Sequence, residues 1–121
     1  MNNNKILIVE DEEDINELLK DYLGMKGYGN VKTTTKGAEA LEIIKSDQPD
    51  IVFLDIVLDD DVDGMKVLEE GRVISSETKF IMMSAHKEDY HQKAKELGAC
   101  AFLGKPVQVS AIKNILKETI G

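Results

Sequence analysis

The sequence predicts an α/β fold, a five-stranded parallel sheet doubly wound with five helices on its two faces. Three observations predict it. Short apolar runs alternate five times with stretches of helical periodicity. The runs Ile51-Val52-Phe53-Leu54 and Phe80-Ile81-Met82-Met83 are apolar without alternation, which suits strands covered on both faces. The chain of 121 residues has the size of one domain. At that size roughly two-thirds of the unfolded chain's surface is buried, enough for a core without staples.

The first strand is read at Lys5-Ile6-Leu7-Ile8-Val9, and residues 1–4 ahead of it read as disordered. Ile15, Leu18, Leu19, Tyr22 and Leu23 then repeat at the spacing of one helix face, with Asp14 and Glu17 as a capping box and Gly24 or Gly27 as the stop. Val31-Lys32-Thr33-Thr34-Thr35 is a polar second strand suited to a sheet edge. Ala38, Leu41 and Ile44 mark a helix closed by Ser46-Asp47-Gln48-Pro49.

The third strand, Ile51 to Leu54, stops at Asp55, and Met65, Val67 and Leu68 begin a helix that Gly71 weakens. Lys79 to Met83 is the fourth strand, with Ser84 behind it. Tyr90, Ala94 and Leu97 follow as a polar helix ending at Gly98. Cys100 to Leu103 is the fifth strand, and Ile112, Ile115, Leu116 and Thr119 set a last amphipathic helix. Alternation of this kind implies right-handed crossovers and a flavodoxin-like strand order 2-1-3-4-5.

Charge is unevenly placed. The chain carries 15 Lys+Arg against 23 Asp+Glu, a net charge of −8. Glu10, Asp11, Glu12, Glu13 and Asp14 form one acidic run; Asp55, Asp59, Asp60, Asp61 and Asp63 form another. Setting those ten aside leaves 13 acids against 15 bases. The acidity belongs to two short segments. It argues against direct nucleic-acid binding, which needs a basic patch. No apolar run reaches the roughly 20 residues of a membrane span, and the N-terminus is not a signal peptide. The single Cys100 excludes an internal disulfide, fits a reducing, cytoplasmic setting, and reads as a small buried hydrophobe. His86 and His91 lack a third ligand and predict no metal site.

In such sheets ligands bind beyond the carboxyl ends of the strands, where the strand order reverses. Glu10 and Asp11 end the first strand there, Asp55 the third and Ser84 the fourth, while Lys105 follows the fifth. Three carboxylates, a hydroxyl and an ammonium therefore converge. Each pair of carboxylates at ~4 Å repels by about 4 kcal/mol at an effective dielectric near 20. Lys105 offsets part of this, and a hard divalent cation offsets the rest. Mg²⁺ suits the site because it takes one or two carboxylates and keeps waters for a phosphoryl group. A flavin phosphate or nucleotide at this end is excluded, because the acids would repel it and no glycine-rich phosphate loop follows the first strand.

From Lys5 to about Ile120 the chain resembles a response-regulator receiver domain of two-component signal transduction. The resemblance rests on Ile6-Leu7-Ile8-Val9-Glu10-Asp11-Glu12, on Pro49-Asp50-Ile51-Val52-Phe53-Leu54-Asp55, on Asp63-Gly64, on Ser84-Ala85 and on Lys105-Pro106, in order and at the family's spacing. It implies a phosphoacceptor rather than an enzyme, a single domain over 1–121 with no output domain. Asp55 would be the nucleophile that takes a phosphoryl group from a phosphohistidine of a sensor histidine kinase or phosphotransfer protein. Glu10, Asp11, Asp55 and the Val57 backbone carbonyl would hold Mg²⁺, or Mn²⁺. Lys105 and Ser84 would bind phosphoryl oxygens. Ser84 and Phe102 would form the switch, presenting the face of the fourth helix, fifth strand and fifth helix to a downstream protein or to a second copy in a phosphorylation-linked homodimer.

Two departures from the family pattern stand out. Asp59 replaces the usual proline, and Gly64 lies nine residues after Asp55 rather than eight, so the loop carries one extra residue. That loop motivates a second reading, a receiver fold used as a phosphorylation-independent interaction module. Asp59, Asp60 and Asp61 read as a solvated loop rather than as metal ligands. Position 57 is the apolar Val57, which cannot orient an attacking water, whereas His86 has the chemistry to do so. A phosphatase of the haloacid dehalogenase type would need a second aspartate where Val57 stands.

Overall fold

The computed structural model describes residues 2–58, 62–85 and 87–120. Strands β1 (Asn2–Val9), β2 (Tyr28–Thr34), β3 (Ile51–Asp55), β4 (Lys79–Ser84) and β5 (Ala101–Gly104) alternate with helices α1 (Glu13–Met25), α2 (Gly37–Asp47), α3 (Gly64–Ile74), α4 (Lys87–Glu96) and α5 (Val109–Ile120). All strand pairs are parallel, in the order β2-β1-β3-β4-β5. The expected fold and strand order are those observed.

Strand parity divides the core in two. Leu7, Val9, Val52, Leu54, Phe80 and Met82 pack with Ala40, Ile44, Val67, Leu68 and Ala94 beneath α2, α3 and α4. Ile6, Ile8, Ile51, Phe53, Ile81, Met83 and Leu103 pack with Leu19, Leu23, Ile112 and Leu116 beneath α1 and α5. Successive residues of one strand feed opposite cores, and both faces are apolar.

Several boundaries depart from expectation. Strand β1 begins at Asn2 rather than Lys5, because Asn2 pairs with Tyr28 at the start of an equally early β2, past an irregularity before Lys5. Residues 2–4 therefore belong to the sheet. Helix α1 is capped at Glu12, whose carbonyl receives the amides of Ile15 and Asn16, and no side chain caps it. Asp14 sits in the first turn, where the helix dipole favours it, and the Asp14–Glu17 capping box is absent. The buried stripe of α1 is Asn16, Leu19 and Leu23, while Leu18 is 58% exposed. Cys100 lies just before β5 and is exposed, not buried in a strand.

Three glycines mark close approaches. A Cβ on Gly71 would lie 2.8 Å from the Phe80 ring, so this glycine seats α3 on the sheet instead of merely weakening it. A Cβ on Gly37 would lie 1.9 Å from the Val62 carbonyl oxygen, and one on Gly64 2.0 Å from that of Asp55. The Gly64 amide also donates to the Ile56 carbonyl at 2.9 Å. After Asp55 the chain stays buried at Ile56 and Leu58; Asp59, Asp60 and Asp61 fall outside the described residues; Val62 then runs against the start of α2. Asp63 accepts the Lys66 amide at 3.0 Å and caps α3.

Gly64→Ala forces the backbone off Asp55 and should lower stability by roughly 1–3 kcal/mol. Gly24→Ala, in α1 with open space around its Cβ position, should raise it by roughly 0.5–1 kcal/mol. Urea midpoints of the two variants, read against the parent, check both signs.

Candidate phosphoryl and metal site

Register brings the functional side chains together. Val9 is level with Leu54, so Glu10 comes level with Asp55, which in turn pairs with Met83. Ser84 pairs with Gly104, so Lys105 follows one step beyond. Parity then sorts them. Glu10, Asp55 and Lys105 continue the rows of Ile8, Phe53 and Leu103 on the α1/α5 side, whereas Ser84 continues the row of Met82 on the other.

The centre of the site is a lysine between two buried carboxylates. Lys105 Nζ donates to Asp55 Oδ2 at 2.8 Å and to Glu10 Oε1 at 2.9 Å, with Glu10 Oε2 at 2.8 Å in the same ion pair. Glu10 is 0% and Asp55 4% exposed. Val57 donates its amide to Asp55 Oδ1 at 3.3 Å, which fixes the second oxygen. Asp11 is half-buried, and one carboxylate oxygen from each of Glu10, Asp11 and Asp55 lies within 4.8 Å of the others. A cavity of about 350 Å³ opens there, lined by Asp11, Glu12, Asp55, Val57, Ser84, Ala85 and Lys105.

The electrostatics leave a cation-shaped deficit. Burial, with the Asp55 carboxylate adding to it, pushes Glu10 up to about 7 against the opposing pull of Lys105. Burial also raises Asp55, although Lys105 and a hydrogen bond from Glu10 pull it down. Burial draws Lys105 down, but its bonds to Asp55 and Glu10 outweigh this and raise it. Two buried carboxylates thus share a single ammonium, which cannot neutralise both. An oxygen-only donor set of three carboxylates beside solvent fits Mg²⁺ or Mn²⁺.

Asn16 supports this centre, and the expected set omitted it. Its Nδ2 donates to the Glu10 carbonyl at 2.8 Å and to the Thr34 carbonyl at 3.4 Å, while the Glu10 amide donates to Thr34 at 3.1 Å. The side chain thus stitches the end of β1 to the end of β2. A polar residue on the Leu19–Leu23 stripe is the signal that would have found it. Of the remaining expected residues, Ser84 is buried beside the cavity and Val57 is 57% exposed at its rim. Phe102 is half-buried and stacks on His91 at 4.0 Å between centroids. His86 lies outside the described residues. The Lys105–Pro106 bond is cis.

The sign of the pH dependence follows from Glu10. Its folded pKa stands above the unfolded value of 4.5, so the folded state binds more protons between about 4.5 and 7. The stabilisation is complete below the unfolded pKa and is lost as pH rises through 7. Metal-free protein should therefore melt at a lower temperature at pH 7.5 than at pH 5.5. Glu10→Gln should flatten that slope, and melting curves across the range check both.

Comparison with known proteins agrees with the geometry. The family model of the response regulator receiver domain matches residues 6–117. The chain is 35% identical over 119 residues to sporulation initiation phosphotransferase F of Bacillus subtilis (strain 168), covering 98% of this chain and 94% of that protein. It is 32% identical over 117 residues to the chemotaxis protein CheY of the same organism, covering 96% and 97%. The crystal structure of the receiver domain of NtrX from Brucella abortus superposes with a TM-score of 0.88 at 29% identity, covering 96% and 98%. Among the described residues no helix is long and apolar enough to cross a membrane. A parallel sheet in the order 2-1-3-4-5, with a lysine bridging acids at its switch point and a family match over nearly its whole length, places this chain in the response regulator receiver domain family of two-component systems.

Proposed function

We propose that the chain is a cytoplasmic phosphoryl-accepting switch, phosphorylated on Asp55 by the phosphohistidine of a sensor histidine kinase or phosphotransfer protein. The observation that carries this reading is the Glu10–Lys105–Asp55 bridge at the floor of an open cavity. Asp55 Oδ1 and Oδ2 are already oriented by the Val57 amide and Lys105. An Asp55 oxygen attacks phosphorus, the phosphorus–nitrogen bond breaks, and the imidazole leaves with its electron pair. Lys105 then pairs with a phosphoryl oxygen, and the Ser84 hydroxyl donates to another.

Glu10, Asp11, Asp55 and the Val57 carbonyl would hold Mg²⁺ or Mn²⁺, which supplies charge neutralisation to the phosphoryl group in transit. An apolar groove of about 410 Å³ beside Lys105, lined by Ile15, Leu18, Leu19, Pro106 and Val107 among others, gives the donor protein a seat next to Asp55. Ser84 drawn to the phosphoryl group, with Phe102 turning inward, would shift the α4–β5–α5 face toward its downstream partner or a second copy. Such a shift is a change in population between two states.

Incubation with Mg²⁺ and acetyl phosphate should give one phosphoryl adduct by intact mass, absent in Asp55→Ala. No adduct, or one that survives the substitution, overturns the reading. The Val57 side chain offers no polar group to orient water at the phosphoryl group. Loss of the adduct should therefore be faster in Val57→Asn than in the parent, followed by mass over time.

A further inference from the structure

Another groove lies at the opposite end of the sheet from Asp55. Tyr28 opens β2 there, level with Asn2 at the start of β1. The groove is about 450 Å³, lined by Tyr22 and Lys26 of the α1 end, by Tyr28, and by Lys113, Leu116 and Lys117 of α5. Three lysines line it and no acidic residue does, in a chain whose net charge is −8. None of the three lysines enters an ion pair among the described residues. Lys113, Leu116 and Lys117 share one face of α5 through their spacing. Lys26 Nζ sits 5.7 Å from the centroid of the Tyr22 ring. The two tyrosines are half-buried against the α1/α5 core and so are held as fixed flat surfaces rather than mobile ones.

We propose that this groove binds a nucleoside phosphate, with the base or sugar against Tyr22 and Tyr28 and the phosphates between Lys26, Lys113 and Lys117. Each part of the ligand answers an observation. Three lysines around one volume, none of them in a salt bridge among the described residues, call for a multiply charged anion, and lysines serve phosphate as point charges. Two fixed aromatic faces beside those cations call for a planar ring, which an inorganic ion would leave unused. The volume lies in the range of small-ligand pockets. The site is separate from the carboxylates at the Asp55 end, which would repel the same ligand. It involves neither Mg²⁺ nor phosphorylation, so it stands or falls independently of the function proposed above.

The probe is ADP, titrated into nitrogen-15-labelled protein in EDTA at low salt, with adenosine and inorganic pyrophosphate in parallel. Saturable shifts should be confined to the amides around Tyr22, Lys26, Tyr28 and residues 113–117, with a dissociation constant below about 1 mM. Raising the salt should weaken binding, since exposed charges are screened. The exposed double variant Lys113→Glu/Lys117→Glu should weaken it by roughly tenfold or more while keeping the parent's melting temperature and its amide shifts outside the groove. Lys26→Glu provides a second, independent variant on α1.

The absence of saturable shifts up to about 5 mM ADP overturns the proposal. So does pyrophosphate binding as tightly as ADP, which would mean an anion patch without a place for the nucleoside. Shifts centred on Glu10 and Asp55 that persist in the double variant overturn it as well.

Discussion

The ammonium group of Lys105 is the interaction on which the end of the sheet depends. It touches two buried carboxylates that come from residues 95 and 50 positions away in sequence. Burying two such acids without a counter-charge would cost several kcal/mol each even after relaxation. The strand order makes the contact demanding, because β5 is separated from β3 by β4 and from β1 by two strands. Neighbouring strands lie about 4.8 Å apart, so the lysine must reach across β4. Small residues, Ser84 and Ala85, stand at that crossing, and the Lys105 amide is tied to the Ser84 carbonyl at 3.0 Å. The length of a lysine and the smallness of its neighbours are one requirement.

That lysine does not balance the charge by itself. With Glu10 protonated, the pair of acids and Lys105 are neutral together; with Glu10 ionised they carry one negative charge. A proton on Glu10 would take the electrostatic place of a harder cation, and the deficit recurs whenever that proton leaves. A site in this condition favours whatever brings positive charge on one side and accepts negative charge on the other. A metal ion with a phosphoryl group meets both demands.

Much of this was legible in the sequence because strand ends are fixed by where apolar runs stop. Ile51 to Leu54 could end only at Asp55, and Ile6 to Val9 only at Glu10, so the convergence followed from fold class alone. Features set by close packing were not legible. Gly71 looked like a helix weakener, and its true reason is a Phe80 ring 2.8 Å from an absent Cβ. Asn16 hid because a polar residue on a helix reads as surface until the stripe through Leu19 and Leu23 is drawn. Cys100 seemed buried by its apolar neighbours, but strand β5 starts one residue later. The residues at the start of β1 acquired order only through a partner, Tyr28, whose own strand began earlier than its glycine-flanked sequence suggested.

The parity of the strands has a consequence for how the molecule conveys information. The sheet acts as a partition: each core is sealed from the other by a layer of backbone, and a change within one has little access to its counterpart. The partition has an open margin where Glu10, Asp55 and Lys105 sit on one side and Ser84 on the other. A group lodged at that margin is in touch with both compartments at once. Helix α1 on one face of the sheet and helix α4 on the other thus border the same margin.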